Sequence, residues 1–347
     1  MRDSEAVTVV ALWSVIGEVL MRRREFIALV GSSAVAWPLR ARAQQASRVY
    51  RLGFLSAGFS DNPVVRSIQS ITAELARFGF TEGKNLLIEA RYAEGRAERL
   101  PELAREIAAT HAEVILAVST PAAHAAKDAA PSTPVVMAFA GEDPVVAGLV
   151  ASLARPGGNA TGIALLAAEM DAKRVELLAQ AVPTGRRLVL FATRYAEQDR
   201  ISLAQRTANS LNVELVIVRA GNKQDYNEAF ATIARAAPAG IVIGSSPVFF
   251  RDGAELAALA ATLGLPTICE WREMAEQGCL LSFGPRVTTL YRRAAGYVAR
   301  IFQGANPADL PVEQPTTFEI AINLKTAKTL GITLPLTLQA QADEVIE

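Results

Sequence analysis

"VILAVSTPAAHAAKDAAPSTPVVMAF", Val114 to Phe139, decides the fold. Val114–Val118 is a short, uninterrupted apolar run, the pattern of a strand covered on both faces. Pro121–Asp128 reads as a helix, and Val135–Phe139 as a second strand. A strand, a helix and another strand within 26 residues make one unit of a parallel sheet.

The same alternation continues on both sides. Val49–Leu55 and Leu86–Tyr92 are strand-like. Between them Asn62-Pro63 opens a helix, with Asn as N-cap and Pro at the first helical position. Val64, Ile68, Ile71, Leu75 and Phe78 fall on one face of that helix. Leu100, Leu103, Ala104 and Ile107 mark the next one. The second half repeats the scheme: Leu188–Ala192, Val213–Val218, Ile241–Ile243, Thr267–Cys269 and Leu280–Phe283 are short apolar runs. Helical stretches such as Leu256, Leu259, Ala260 and Leu263 lie between them. Arg155-Pro156-Gly157-Gly158-Asn159 interrupts the series near the middle. The expectation is α/β, two doubly wound lobes with mainly parallel sheets. An eight-fold barrel is the alternative, and the central break and the tail after Pro285 fit it less well.

Composition narrows the class. The chain has 347 residues, of which 51% are hydrophobic and 20% charged, a well-packed globular balance. Its formal net charge is zero, so no basic surface points to nucleic acid. Aromatic residues are 6%, too few for a base-stacking platform. Cys269 and Cys279 are too few for a disulfide framework; they can pair in an oxidising compartment or pack as small buried hydrophobes.

The front of the chain reads differently. Arg22, Arg23 and Arg24 precede a weakly apolar run, Phe26–Trp37, and Ala41-Arg42-Ala43 places small residues where a signal peptidase reads. The run is far below the ~20 residues that span a bilayer. Arg23–Ile27 resembles a twin-arginine export signal, with cleavage expected near Ala43-Gln44 and a periplasmic destination. An amphipathic surface helix is the competing reading. Met21 heads the segment, so either Met1 or Met21 can be the start.

No catalytic or cofactor motif stands out. His111 and His124 have no metal-ligand spacing, and there is no phosphate loop, dinucleotide fingerprint or nucleophile elbow. The better signal is a matched pair. Ser119-Thr120-Pro121 follows a strand in the first half, and Ser245-Ser246-Pro247 follows one in the second. Ligands of open α/β sheets bind beyond the carboxyl ends of the strands, where helix N-termini favour anions. Two such ends across a cleft suit a carboxylate without a buried cation, although each is also an ordinary helix cap. Other strand ends add Ser56, Asp143, Thr193, Glu270 and Trp271 as candidate ligand-binding residues. Asp143 or Glu270 would pair with an ammonium, and Phe59 or Trp271 would supply apolar contact.

Three longer stretches carry a family likeness: "GEDPVVAGLVASLARPGGNATG" (141–162), "WREMAEQGCLLSFGP" (271–285) and "QPTTFEIAINLKTAKTLG" (314–331). With them the chain resembles the periplasmic substrate-binding components of ABC transporters, in the group that includes tryptophan- and tyrosine-binding members. The resemblance implies a type I binding-protein fold with a three-crossing hinge and ligand capture by closure of the lobes. Residues 1–43 would be the extension and signal. Residues 44–160 and 284–315 would form lobe 1, and residues 161–283 and 316–347 lobe 2. Implied partners are a small-molecule ligand and a membrane permease, with no cofactor and no catalysis. A ligand sensor of the same fold and an exported enzyme are the competing functions. The sensor lacks a DNA-binding module at the N-terminus, and two stray histidines make a weak case for the enzyme.

Overall fold

The computed structural model describes residues 48–60, 67–194, 196 and 198–347. The expected export signal, and the helix opening at Asn62-Pro63 with Val64, lie outside the described residues. In chain order the elements begin with β1 (Tyr50–Ser56), α1 (Ser67–Arg77), β2 (Leu86–Tyr92), α2 (Leu100–Ala109) and β3 (Val114–Val118). Then come α3 (Thr120–Ala129), β4 (Val135–Ala140), β5 (Ala160–Ala164), α4 (Ala167–Ala181), β6 (Arg187–Thr193) and α5 (Gln198–Ser210). Next are β7 (Glu214–Ala220), α6 (Lys223–Ala236), β8 (Ile241–Ile243), α7 (Pro247–Arg251), α8 (Gly253–Thr262) and β9 (Thr267–Cys269). The last are α9 (Arg272–Glu276), β10 (Leu281–Gly284), α10 (Val287–Phe302), β11 (Glu319–Asn323), α11 (Leu324–Leu330), α12 (Leu336–Gln339) and β12 (Glu344–Ile346).

Two sheets result. The first has the order β2-β1-β3-β4-β5 and is parallel throughout. The second has the order β12-β11-β10-β9-β8-β6-β7, with only the β10–β11 pair antiparallel. A single closed barrel is thereby excluded. β3 is buried along its whole length, as its sequence requires. Leu116 and Val118 pack with Leu52 and Phe54 on one face. Ile115 and Ala117 pack with Leu55, Leu103 and Ile107 on the other. Phe78, expected on the buried face of α1, lies just beyond its end and is 44% exposed.

The chain passes between the sheets three times. β5 pairs with β4, so the first sheet runs to Ala164, beyond the crossing expected at 160/161. The second passage follows β10 at Gly284-Pro285-Arg286, and α10 then packs against α1, β3 and β4 of the first sheet. The third runs from Leu310 to β11, and Glu313 bridges beside Ile163 on the way. Two glycines make these passages possible. Gly162 has φ +127°, and a Cβ there would lie 2.3 Å from the Met137 carbonyl oxygen. A Cβ on Gly284 would lie 2.2 Å from the Glu270 carbonyl oxygen.

Cys269 and Cys279 form a disulfide across ten residues, with Cα atoms 6.4 Å apart. They are therefore not simply small buried hydrophobes, although both are fully buried. The bond ties the end of β9 to the residues just after α9. Closing a loop of this length stabilises a fold by about 3 kcal/mol in the chain-entropy account.

Candidate functional site

A cavity of about 280 Å³ lies where the carboxyl ends of the two sheets face each other. The strand ends that line it follow from the topology. From the first sheet come Ser56 at the end of β1, Tyr92 at the end of β2, Ser119 and Thr120 after β3, and Phe139 near the end of β4. From the second come Thr193 at the end of β6, Ser245 and Ser246 after β8, and Glu270 and Trp271 after β9. Eight of the nine sequence candidates thus share one cavity. Asp143 is the exception: it is exposed and does not line the cavity. Its carboxylate accepts the backbone N–H groups of Val145 (2.8 Å) and Val146 (3.4 Å), a local turn bond that explains its position in the sequence.

The two serine–proline helix starts are unequal. α3 has ten residues, and Ser119 caps it by accepting the Ala122 N–H at 3.3 Å. Thr120, buried, accepts the Glu142 N–H at 3.3 Å. Each hydroxyl keeps its own proton to donate. α7 has five residues, too few peptide dipoles for a strong positive end, and Ser246 caps it through the Val248 N–H at 3.2 Å. The expected symmetric pair of dipoles is therefore one helix end and one short turn.

Guanidinium groups supply positive charge on the second lobe, which corrects the expectation of an anion site without a buried cation. Arg200 of α5 lines the cavity. Its Nε donates to Asp171 of α4, and its Nη1 donates to the Ser245 carbonyl at 3.1 Å. Arg174, also on α4, has 0% side-chain exposure. It donates to Asp171, to Ser245 Oγ (3.0 Å) and to the Phe283 carbonyl (3.0 Å). Its Nη2 faces Glu270 Oε1 at 3.5 Å, and neither atom has a hydrogen-bond partner among the described residues. Two arginines and two carboxylates thus form a charge-balanced quartet at the cavity wall, with Arg200 and Glu270 lining it and Asp171 and Arg174 behind them. Burial pushes the Glu270 carboxyl above its usual range, against the opposing pull of Arg174 and Ser245. A carboxyl raised in the folded state costs stability when ionised, and that cost is relieved as pH falls and the group protonates.

The remaining wall is apolar and aromatic. Trp271 packs edge-on against Phe139 at 5.9 Å and tilted against Phe250 at 5.9 Å. Phe139 packs against Tyr291 of α10 at 4.7 Å. At the mouth, Phe59 lines the cavity while the Arg251 guanidinium from the other lobe lies 3.6 Å above its ring. Ser119 (φ +103°) and Phe139 (φ +57°) are held in backbone conformations that non-glycine residues rarely adopt. Such strain concentrates where a site is preorganised. Neither His111 nor His124 lines the cavity.

Sequence reasoning passed over Asp171, Arg174 and Arg200. A signal for the first two was present. Asp171 and Arg174 fall in phase with Val175 and Leu178, on the apolar stripe of α4. Two opposite charges three residues apart on a buried stripe are an ion pair inside the core. Arg200 lies in a largely polar helix next to the buried Ile201 and carries no comparable mark.

Comparison with known proteins agrees with this architecture. Residues 59–346 match the family described as ABC transporter substrate binding protein. The chain is similar to a tyrosine-binding protein of Clostridioides difficile, 25% identical over 262 residues that cover 73% of each chain. A conserved domain protein from Vibrio cholerae is 25% identical, with a TM-score of 0.78 over 86% of this chain and 100% of that one. An ABC domain from Streptococcus pneumoniae, solved in complex with L-Trp, shares the fold with a TM-score of 0.76 at 22% identity, over 86% of this chain and 100% of the other. With most of its length matched, this chain belongs to the ABC transporter substrate-binding protein family.

Proposed function

We propose that the protein is the periplasmic solute-binding component of an ABC importer. Its ligand is a small, amino-acid-like carboxylate with an apolar ring. The observation that carries this reading is the cavity between the lobes, lined by hydroxyl and charged side chains together with Trp271, Phe139 and Tyr291. Ser119 and Thr120 donate to the carboxylate from the α3 end, with Arg200 and Ser246 on the opposite lobe. Glu270 takes the ammonium, and Trp271, Phe139 and Tyr291 enclose the ring. Ser56, Thr193 and Ser245 complete the polar lining. Tyrosine and L-Trp, named for two relatives, have this chemistry. Ligand bridging both lobes favours the closed form, the state that a membrane permease reads.

Calorimetry of the purified protein with aromatic amino acids tests the reading, together with mass spectrometry of any small molecule it releases. Thr120→Val should weaken binding about tenfold to a hundredfold, the effect of losing one hydrogen bond to a charged group. Unchanged affinity in a folded Thr120→Val protein removes the carboxylate from the α3 end. Steady turnover of a bound compound replaces the transport reading with an enzymatic one.

Export follows from the N-terminal arginines and accords with the Cys269–Cys279 bond, since disulfides persist in oxidising compartments. Changing Arg23 and Arg24 together to Lys should leave the protein in the cytoplasm, where immunoblotting of cell fractions finds it. Normal export of that double variant discards the twin-arginine reading.

A further inference from the structure

The proposed ligand contacts stop at the cavity wall, yet the largest fully buried side chain among the described residues lies just behind it. Arg174 touches no cavity space and is 0% exposed. Its contacts reach in three directions. Through Nη1 it holds Ser245 Oγ, on the polar wall. Also through Nη1 it holds Asp171, which in turn holds Arg200. Through Nε it holds the Phe283 carbonyl, one residue before the Gly284-Pro285 passage between the lobes. Its remaining nitrogen, Nη2, faces Glu270 Oε1 across 3.5 Å without closing a hydrogen bond.

We propose that Arg174 is a positioning residue for ligand recognition: it presents Glu270 to the cavity as the acceptor for a cationic group, and ties that acceptor to the hinge strand at Phe283. The inference rests on the proposed capture of an amino-acid-like ligand. A buried carboxylate needs an opposite charge nearby to stay charged, and it needs an unfilled acceptor position to select a donor. Arg174 supplies the first from behind the wall, and Glu270, which itself lines the cavity, offers the second from its cavity side. Around Glu270 the other charged groups are Asp171 on the same helix as Arg174 and Arg200 on α5, with the Ser245 hydroxyl between them. Asp171 already bonds both guanidinium groups, so Arg174 is the cation directed at Glu270. Without it, Glu270 remains in an apolar wall with no directed counter-charge, and selectivity for an amino group should go with it.

The readout is a ratio of affinities, which a purely structural role would leave unmoved. Calorimetry on the full chain compares L-tyrosine, L-phenylalanine and L-tryptophan, each against the arylpropionic acid that lacks the amino group. The parent should prefer the amino form by about tenfold or more. In Arg174→Met the ratio should fall to near one, whatever loss both forms share through Ser245 and Arg200. A folded Arg174→Met protein that keeps the parent ratio overturns the proposal. Should that variant fail to fold, Arg174→Lys decides, because it keeps the charge but cannot reach Ser245, Asp171 and Phe283 together. Its ratio should fall about threefold or more, and a parent-like ratio again overturns the proposal. A parent that binds both forms equally removes Glu270 as the selecting acceptor while leaving ligand capture intact. A parent that binds none of the six compounds removes the amino-acid reading and this inference with it.

Discussion

Asp171→Ala is expected to lower the unfolding free energy by about 3–5 kcal/mol, the effect of breaking a buried ion pair from one side. Asp171 is 1% exposed and accepts from both Arg174 and Arg200. Its loss leaves two guanidinium groups facing Glu270 alone. The contrast lies two residues away on the same helix. Lys173 and Glu176 form an ion pair at 2.7 Å, but their side chains are 38% and 37% exposed. Lys173→Ala should cost under about 1 kcal/mol, because solvent already screens that pair. Urea denaturation of both variants gives the comparison, read from the midpoint at unchanged slope. Equal costs for the two would mean that the quartet is solvated and contributes no more than the surface pair.

Gly162→Ala should cost about 4 kcal/mol, from positive-φ strain together with a steric overlap. The new methyl would lie 2.3 Å from the oxygen and 2.6 Å from the nitrogen of Met137, and backbone in a sheet cannot step aside. The damage extends to the hinge, because the Gly162 carbonyl accepts the Glu313 N–H at 2.9 Å on the third passage. Gly148 provides the control. Its φ is +69°, and a Cβ there meets nothing within 4 Å. Gly148→Ala should therefore show only the conformational penalty, about 1–2 kcal/mol. A Gly162→Ala protein no less stable than Gly148→Ala would mean that β5 does not pair closely with β4.

The strands that sequence made legible are those buried on both faces, such as β3 and β4, where apolar runs are continuous. β5 was not legible. Its five residues, ATGIA, are too short and too interrupted by Ala and Gly to stand out, and it is a strand through its pairing with β4, where Met137 lies close enough to require glycine at 162. β11 and β12 escaped notice for another reason: they join the second sheet from the far end of the chain, and local pattern carries no record of such long-range pairing. The cavity residues were legible where a hydroxyl or aromatic side chain lies within two residues of a strand end, as at Ser119, Ser245 and Trp271. Asp143 also follows a strand but turns into its own loop, because its carboxylate finds backbone donors two and three residues on. Arg200 reaches the site from within a helix, so its role is set by the packing of α4 against α5 rather than by its neighbours in sequence.

Trp271 has a further consequence. The chain has three tryptophans, at 13, 37 and 271, and the first two precede the expected cleavage after Ala43. A processed protein would therefore carry one indole, placed in the wall between Phe139 of one lobe and Phe250 of the other. Its emission colour and intensity depend on what touches that ring, so the molecule contains its own optical gauge of occupancy. Fluorescence titration can then follow the filling of this cavity without a dye or a label, whatever compound fills it.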